Sequence, residues 1–242
     1  MVESGCSPDT AQNRDQTGRI EEEIKLHAAS REVFTRIQKE PLPENRAVGA
    51  WQQQLFLTRY FDTSDHLLLQ NQIALRLRSL GSSSCQLGLK GFGSVCGGVA
   101  KRREWEQCLT QPPESFYSGL HYSHLLAGPV KDQLRRMFAS PLAEGDLFFQ
   151  PLMETEIHRQ TRVVELEKGS RVEIALDWGE IRAAGKACTV CEVEVERLAG
   201  PSSPMAAFAG ELAQRYGLNA SSHSKFSLGL DLLGIALPKR TD

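Results

Sequence analysis

The 242-residue sequence contains no run of about 18 apolar residues, which excludes a hydrophobic helix long enough to cross a bilayer. Its opening stretch, from Met1 to Arg19, has no apolar core and brings in acids early. It is therefore not read as a secretory signal, and a polar, flexible tail is expected over residues 1–19. Charge of one sign is not in excess either. Lys and Arg number 28 against 30 Asp and Glu, a formal net charge of -2. That balance argues against a broadly basic surface, so nucleic acid is not an expected partner. Six cysteines occur, but only Cys188 and Cys191 have CxxC spacing, and no second such pair accompanies them. They are read as ordinary thiols near a strand start, in a reducing, cytoplasmic setting. The GxxxxGK[ST] phosphate loop is missing as well, so the glycines of residues 91–98 are read as a turn between antiparallel strands.

What is present is an ordinary globular composition, 40% hydrophobic and 24% charged. No linker divides it, so one domain is expected over residues 20–237, with a short tail at 238–242. Strands are predicted at 20–28, 51–60, 73–80, 85–90, 101–107, 152–166, 171–176 and 188–198. Helical patterns fall at 30–39, stopped by Pro41 and Pro43, at 130–138 after Pro129, and at 205–216, closed by Gly217. His121 and His124 have ligand-like spacing but are read as members of a polar helical region, and His158 is expected to face outward.

The strands carry an unusual pattern. Glu21/Glu23/Lys25, Arg76/Arg78, Arg102/Glu104/Glu106, Arg171/Glu173 and Glu192/Glu194/Glu196 recur at a period of two, which puts each set on one face of its strand. The opposite faces carry Ile24/Leu26, Leu75/Leu77, Trp105, Val172/Ile174 and Val193/Val195. Two architectures explain this: a sheet lying on helices with its charged face in water, or a sheet closed into a barrel with the charges turned inward. Same-sign clusters gain little on a surface. A cavity that binds a polyanion together with a divalent cation gains from both.

Several of these segments resemble the signatures of the CYTH superfamily, also called triphosphate tunnel metalloenzymes. Glu21-Glu-Glu-Ile-Lys25 is similar to its ExExK strand, Arg59-Tyr-Phe-Asp-Thr63 to its Y-[YF]-D-T strand end, and Leu75-Arg-Leu-Arg78 to its LRxR strand. Lys90, Arg102-Arg-Glu104, Arg159, Glu173 to Asp177, Cys191 to Glu196 and Ser224-Lys225 follow in the family's order. The resemblance covers roughly residues 20 to 229 and is nearest to bacterial inorganic triphosphatases, whose additional CHAD domain is not expected in this sequence.

The resemblance implies a mainly β (α+β) fold, an eight-stranded antiparallel β barrel forming a polar triphosphate tunnel with helices packed outside. It implies that Lys25, Arg76, Arg78, Lys90, Arg102, Arg159 and Lys225 bind phosphate, with Lys25, Glu23, Arg76 and Arg78 at the catalytic centre. Glu21, Glu23, Asp177, Glu192 and Glu194 are the implied ligands of Mg²⁺ or Mn²⁺, and Glu104, Glu106, Glu173 and Glu196 the acids that orient the bases. The implied activity is hydrolysis of inorganic triphosphate to pyrophosphate and phosphate by direct water attack. Thiamine or nucleoside triphosphate hydrolysis, class IV adenylate cyclase activity and non-catalytic polyphosphate or nucleotide binding are the alternatives. The expected partner is thus a small-molecule triphosphate and not a membrane, and the chain is expected to be a monomer or homodimer. One position departs from the family pattern: Leu228 stands about where an arginine usually follows the Ser-Lys element.

Overall fold

A computed structural model describes residues 18–42, 47–80, 84–110 and 118–238. The expected tails, up to position 17 and beyond Pro238, lie outside the described residues. The strands are β1 (Arg19–His27), β2 (Ala47–Asp62), β3 (Ile73–Ser79), β4 (Ser84–Gly91), β5 (Ser94–Cys96), β6 (Val99–Thr110), β7 (Leu120–His121), β8 (Phe148–Glu165), β9 (Arg171–Ala183), β10 (Lys186–Ala199) and β11 (Asn219–Ala220). The α-helices are α1 (Glu32–Lys39), α2 (Leu67–Gln70), α3 (Pro129–Met137), α4 (Ala139–Glu144), α5 (Ser202–Tyr216) and α6 (Lys225–Leu233). Hydrogen-bonded neighbours run β1-β10-β9-β8-β2-β3-β4-β6, and β6 pairs with β1 again. That closed order is the connectivity of an eight-stranded antiparallel β barrel, as the charged strand faces and the family resemblance imply. Among the described residues no helix is long and apolar enough to cross a membrane.

The chain forms two compact units that exchange segments along the sequence. One contains Tyr60–Phe92 and Arg103–Leu152, the other Glu21–Arg59, Gly93–Arg102 and the residues from Met153 onward. In the second unit the apolar faces of β1, β8, β9 and β10 supply Ile24, Leu26, Val164, Ile174, Leu176, Val193 and Val195. They pack against Phe34 and Ile37 of α1 and against Met205, Phe208 and Leu212 of α5. The three- and four-residue spacing along α5 builds one apolar stripe, and Gly217 ends the helix in the left-handed region at φ 67°. Each such fully buried aliphatic side chain contributes about 1.5–3 kcal/mol.

The first unit has its own core. Leu75, Leu77, Leu87, Leu89 and Trp105 from β3, β4 and β6 pack against Val130 and Leu134 of α3 and Leu68 of α2. The Y-F-D-T segment has a structural task here. Asp62 Oδ1 accepts hydrogen bonds from the Thr63 and Leu68 amides and Oδ2 from Leu69, so this carboxylate caps α2.

Several elements differ from the sequence expectations. β9 continues to Ala183, beyond the predicted end at 176, because β8 and β10 flank it and pair with its backbone through Gly179 and Arg182. The 91–98 segment contains a short hairpin strand, β5, which pairs with the start of β6. Helix α6 was not predicted, since Gly229 weakens the helical pattern; a capping box between Ser224 and Ser227 starts it. Cys85, Cys96, Cys188 and Cys191 are free thiols.

Candidate functional site

Strand register assembles the charged face of the second unit. Directly paired residues share a face, so Arg159 of β8, Asp177 of β9 and Glu192 of β10 form one row across three strands. Lys25 of β1 and Glu194 of β10 pair in the next row, and Glu23, Glu196 and Glu173 in the row after that. The face is largely shielded from water: Asp177 is 0% exposed, Glu23 3%, Glu192 5%, Glu194 7% and Lys25 8%. Such acids and bases remain charged in a buried place only by pairing with one another.

They do so densely. Arg159 grips Asp177 in a two-pronged contact, Nε to Oδ1 at 2.7 Å and an Nη to Oδ2 at 2.6 Å, and also donates to Glu194. Lys25 donates to Glu194 and lies 3.2 Å from Glu23. Lys225 at the start of α6 donates to Glu192 and lies 2.7 Å from Asp177 and 3.0 Å from Glu194. Burial favours the neutral form of every one of these groups, and the partners decide the outcome. For Asp177, burial is outweighed by Arg159 and Lys225, which hold the carboxyl below the usual carboxylate range. Glu194 lies further below it, because Lys225, Lys25 and Arg159 overcome burial. Glu192 goes the other way: burial pushes it up, and Lys225 and Lys25 do not offset that and the repulsion from Glu194 and Asp177.

Asp177, Glu192 and Glu194 each offer an oxygen within 4.8 Å of the others, a cluster consistent with a divalent-metal site. The donors fit a hard cation: all are carboxylate oxygens, and the spacing suits ligands about 2.0–2.6 Å from a common centre. Of the acids expected as metal ligands, Glu21 and Glu23 share the face but stand outside this cluster. Glu23 instead accepts a hydrogen bond from Arg102.

In the first unit, Arg76, Arg78 and Lys90 share a face with Glu104 and Glu106 through the β3–β4–β6 register. Lys90 is 2.8 Å from Glu104, and Arg76 is 3.1 Å from Glu106 and 3.7 Å from Glu104. Burial raises the Glu104 carboxyl, but Lys90 and Arg76 outweigh it and bring the pKa down to about 2. Gly88, between Arg76 and Glu106 in the register, leaves room for the arginine; a Cβ there would lie 3.0 Å from Arg76 Nε. Arg76 at 8% and Glu194 at 7% exposure do not lie on a solvated sheet face, which rejects the open-sheet architecture.

One contributor escaped sequence reasoning, and a second was read only as part of a motif, without its structural role. Phe56 of β2 lies under the Arg159 guanidinium at 5.8 Å, and its place on the same strand face as Thr58 and Tyr60 was the available signal. Ser224 caps α6 and so holds Lys225 at the first helical position, which gives the Ser-Lys element a physical reason. Leu228 lies half-buried one turn further along α6. Two of the histidines have other partners: His158 stacks on Trp178, and His121 and Ser123 share Asp146, whereas His27 of β1 stands across from Glu192 in the register.

A closed order of eight strands with buried, interleaved carboxylates and ammonium groups defines a barrel built around charge. Residues 19–228 match the CYTH domain, and the chain belongs to that family. It is 28% identical over 183 residues to an inorganic triphosphatase of Haemophilus influenzae, covering 75% of this chain and 47% of that protein. The chain therefore spans about half the length of this curated relative. Among solved structures it is similar to a Hippeastrum adenylyl cyclase candidate described as having a dominant triphosphatase activity, with TM-score 0.65, 20% identity and coverage of 90% of this chain and 98% of that one. It is also similar to an adenylate cyclase candidate of Bacillus halodurans, with TM-score 0.54, 19% identity and coverage of 85% and 95%. These likenesses show the fold.

Proposed function

We propose that the chain hydrolyses inorganic triphosphate to pyrophosphate and phosphate, using Mg²⁺ or Mn²⁺. The observation that carries this reading is the carboxylate cluster of Asp177, Glu192 and Glu194 interleaved with Lys25, Arg159 and Lys225. The relationship to the Haemophilus influenzae inorganic triphosphatase supports the same substrate. A bound divalent cation supplies charge neutralisation for phosphate oxygens and polarises the phosphorus they surround.

The chain's own residues do the rest. Lys25, Arg159 and Lys225 donate to the oxygens of the polyphosphate, with Arg102 further along the same face. Lys25, Arg159 and Arg102 stand on paired strands and are fixed in advance, so charge developing on the transferring phosphoryl group is met with little reorganisation. Glu23 orients Arg102, and Asp177 orients Arg159. Arg76, Arg78 and Lys90 remain proposed phosphate ligands on the family resemblance. Glu21 and Glu23 are likewise proposed as further cation ligands, Glu104 and Glu106 as partners of the first unit's bases, and Glu173 and Glu196 as partners of the second unit's. Water attacks a terminal phosphorus directly: a new P–O bond forms as the bridging P–O bond breaks, and pyrophosphate leaves. Residues 20–237 are proposed to work as one domain.

One observation favours a second reading. Leu228 follows Lys225 by one helical turn on α6 where the family pattern has an arginine, which removes a charged phosphate contact worth about 1.5–3 kcal/mol and suits a protein that binds polyphosphate without turnover. Phosphate release from tripolyphosphate, ATP and thiamine triphosphate, each with Mg²⁺ and with Mn²⁺, separates the readings. Tripolyphosphate is expected to be cleaved fastest. Binding of tripolyphosphate without release of phosphate from any of the three would favour the second reading.

A further inference from the structure

The three carboxylates of the cluster have one neighbour in common. Lys225 Nζ is 2.7 Å from Asp177 Oδ2 and 3.0 Å from Glu194 Oε1, and it is ion-paired with Glu192 Oε1. An ammonium is a compact cation with three donors, so it can give one to each acid. Lys25 is placed differently: it centres on Glu194 and Glu23, with Glu192 at 3.9 Å.

Lys225 also differs from the other bases of this face in its support. Lys25 and Arg159 stand on β1 and β8, rigid strands paired on both sides. Lys225 is the first residue of a nine-residue helix. Ser224 fixes the backbone there, and the four-carbon stem of a lysine is flexible, so its ammonium is less tightly held than a strand-borne guanidinium.

We infer that Lys225 is an internal counter-ion that competes with the divalent cation for Asp177, Glu192 and Glu194, and that it turns to the phosphate chain when the cation enters. This rests on the triphosphatase reading proposed above. The physical ground is that the same carboxylate oxygens serve both cations. A divalent ion placed among them beside an unmoved ammonium would put two cations, with three positive charges between them, a few ångströms apart in a poorly screened place. The released lysine gains a polyanion as its new partner. Cation and triphosphate therefore strengthen each other's binding, and by linkage the effect is reciprocal.

The full chain is treated with an amine-acylating reagent and labelling at Lys225 is followed by mass spectrometry, with Lys168, whose side chain is 66% exposed, as the internal reference. Labelling of Lys225 is expected to be low without additions, to rise about fivefold or more with Mg²⁺ alone, and to fall again once tripolyphosphate is added. Calorimetric titration with Mn²⁺ gives the second readout: Lys225→Gln is expected to bind the ion about tenfold more tightly than the wild type when no triphosphate is present. If the wild type binds both Mg²⁺ and tripolyphosphate while Lys225 labelling ignores Mg²⁺, or if Lys225→Gln binds Mn²⁺ no more tightly, the counter-ion role is overturned and the triphosphatase reading stands. A wild type that binds neither overturns both.

Discussion

Gly229 of α6 lies so close against Met153 of β8 that a Cβ on the glycine would overlap the methionine sulfur, with Ile181 Cγ2 at 3.3 Å on the same side. The missing side chain is what lets α6 seat on the sheet, and Lys225, one turn earlier, reaches the acids from that seat. Gly229→Ala is expected to cost about 1–3 kcal/mol in denaturant unfolding, because the helix must lift or the methionine must move. Met153→Ala in the same chain is expected to recover most of that loss. A double variant no more stable than Gly229→Ala would place the strain elsewhere.

Asp177 is fully buried and holds both Arg159 and Lys225. Asp177→Asn leaves two buried cations short of a charge, and a loss of about 3–5 kcal/mol is expected by chemical unfolding. A change below about 1 kcal/mol would mean that Glu194 and Glu192 alone satisfy both bases.

The Glu104 carboxyl gives a pH signature. Burial alone would raise its pKa, but Lys90 and Arg76 bring it down to about 2, below the usual carboxylate range near 4.5. The stability it contributes is therefore complete above pH 4.5 and is lost as pH falls through 2. The shift corresponds to about 3 kcal/mol. Thermal melting between pH 6 and pH 2 is expected to show a shallower acid loss in Glu104→Gln than in the wild type, and parallel curves would contradict it.

Phe56 beneath Arg159 offers a split between binding and turnover. Phe56→Leu keeps apolar volume but removes the ring face, a contact worth about 0.5–2 kcal/mol. The KM for tripolyphosphate is expected to rise several-fold with kcat nearly unchanged. An equal fall in both kcat and kcat/KM would instead give the ring a part in the transition state.

How far the sequence reveals this site depends on whether a residue's role is local. The faces of β1, β3, β6 and β10 were legible because their charges and apolar residues alternate at the strand period. The neighbours across strands were not. That Asp177 pairs with Arg159 and Glu192 follows from register, and that Glu23 accepts a hydrogen bond from Arg102 follows from the pairing of β1 with β6; both link residues far apart in the chain. Asp177 entered only through the family resemblance, since it lay past the predicted end of its strand. α6 was hidden by a glycine whose purpose is packing against Met153, and local propensity carries no trace of that.

The carboxylate cluster and its bases are proposed to form a cation-dependent triphosphatase. The direct measurement is phosphate release from tripolyphosphate by the wild type and by Glu194→Gln, each with Mg²⁺ or Mn²⁺ and again with excess EDTA, with circular dichroism confirming that the variant is folded. The wild type is expected to turn over only with the divalent cation, and the folded variant to be slower by about 100-fold or more. Undiminished release in EDTA, or a folded Glu194→Gln as fast as the wild type, would contradict the account.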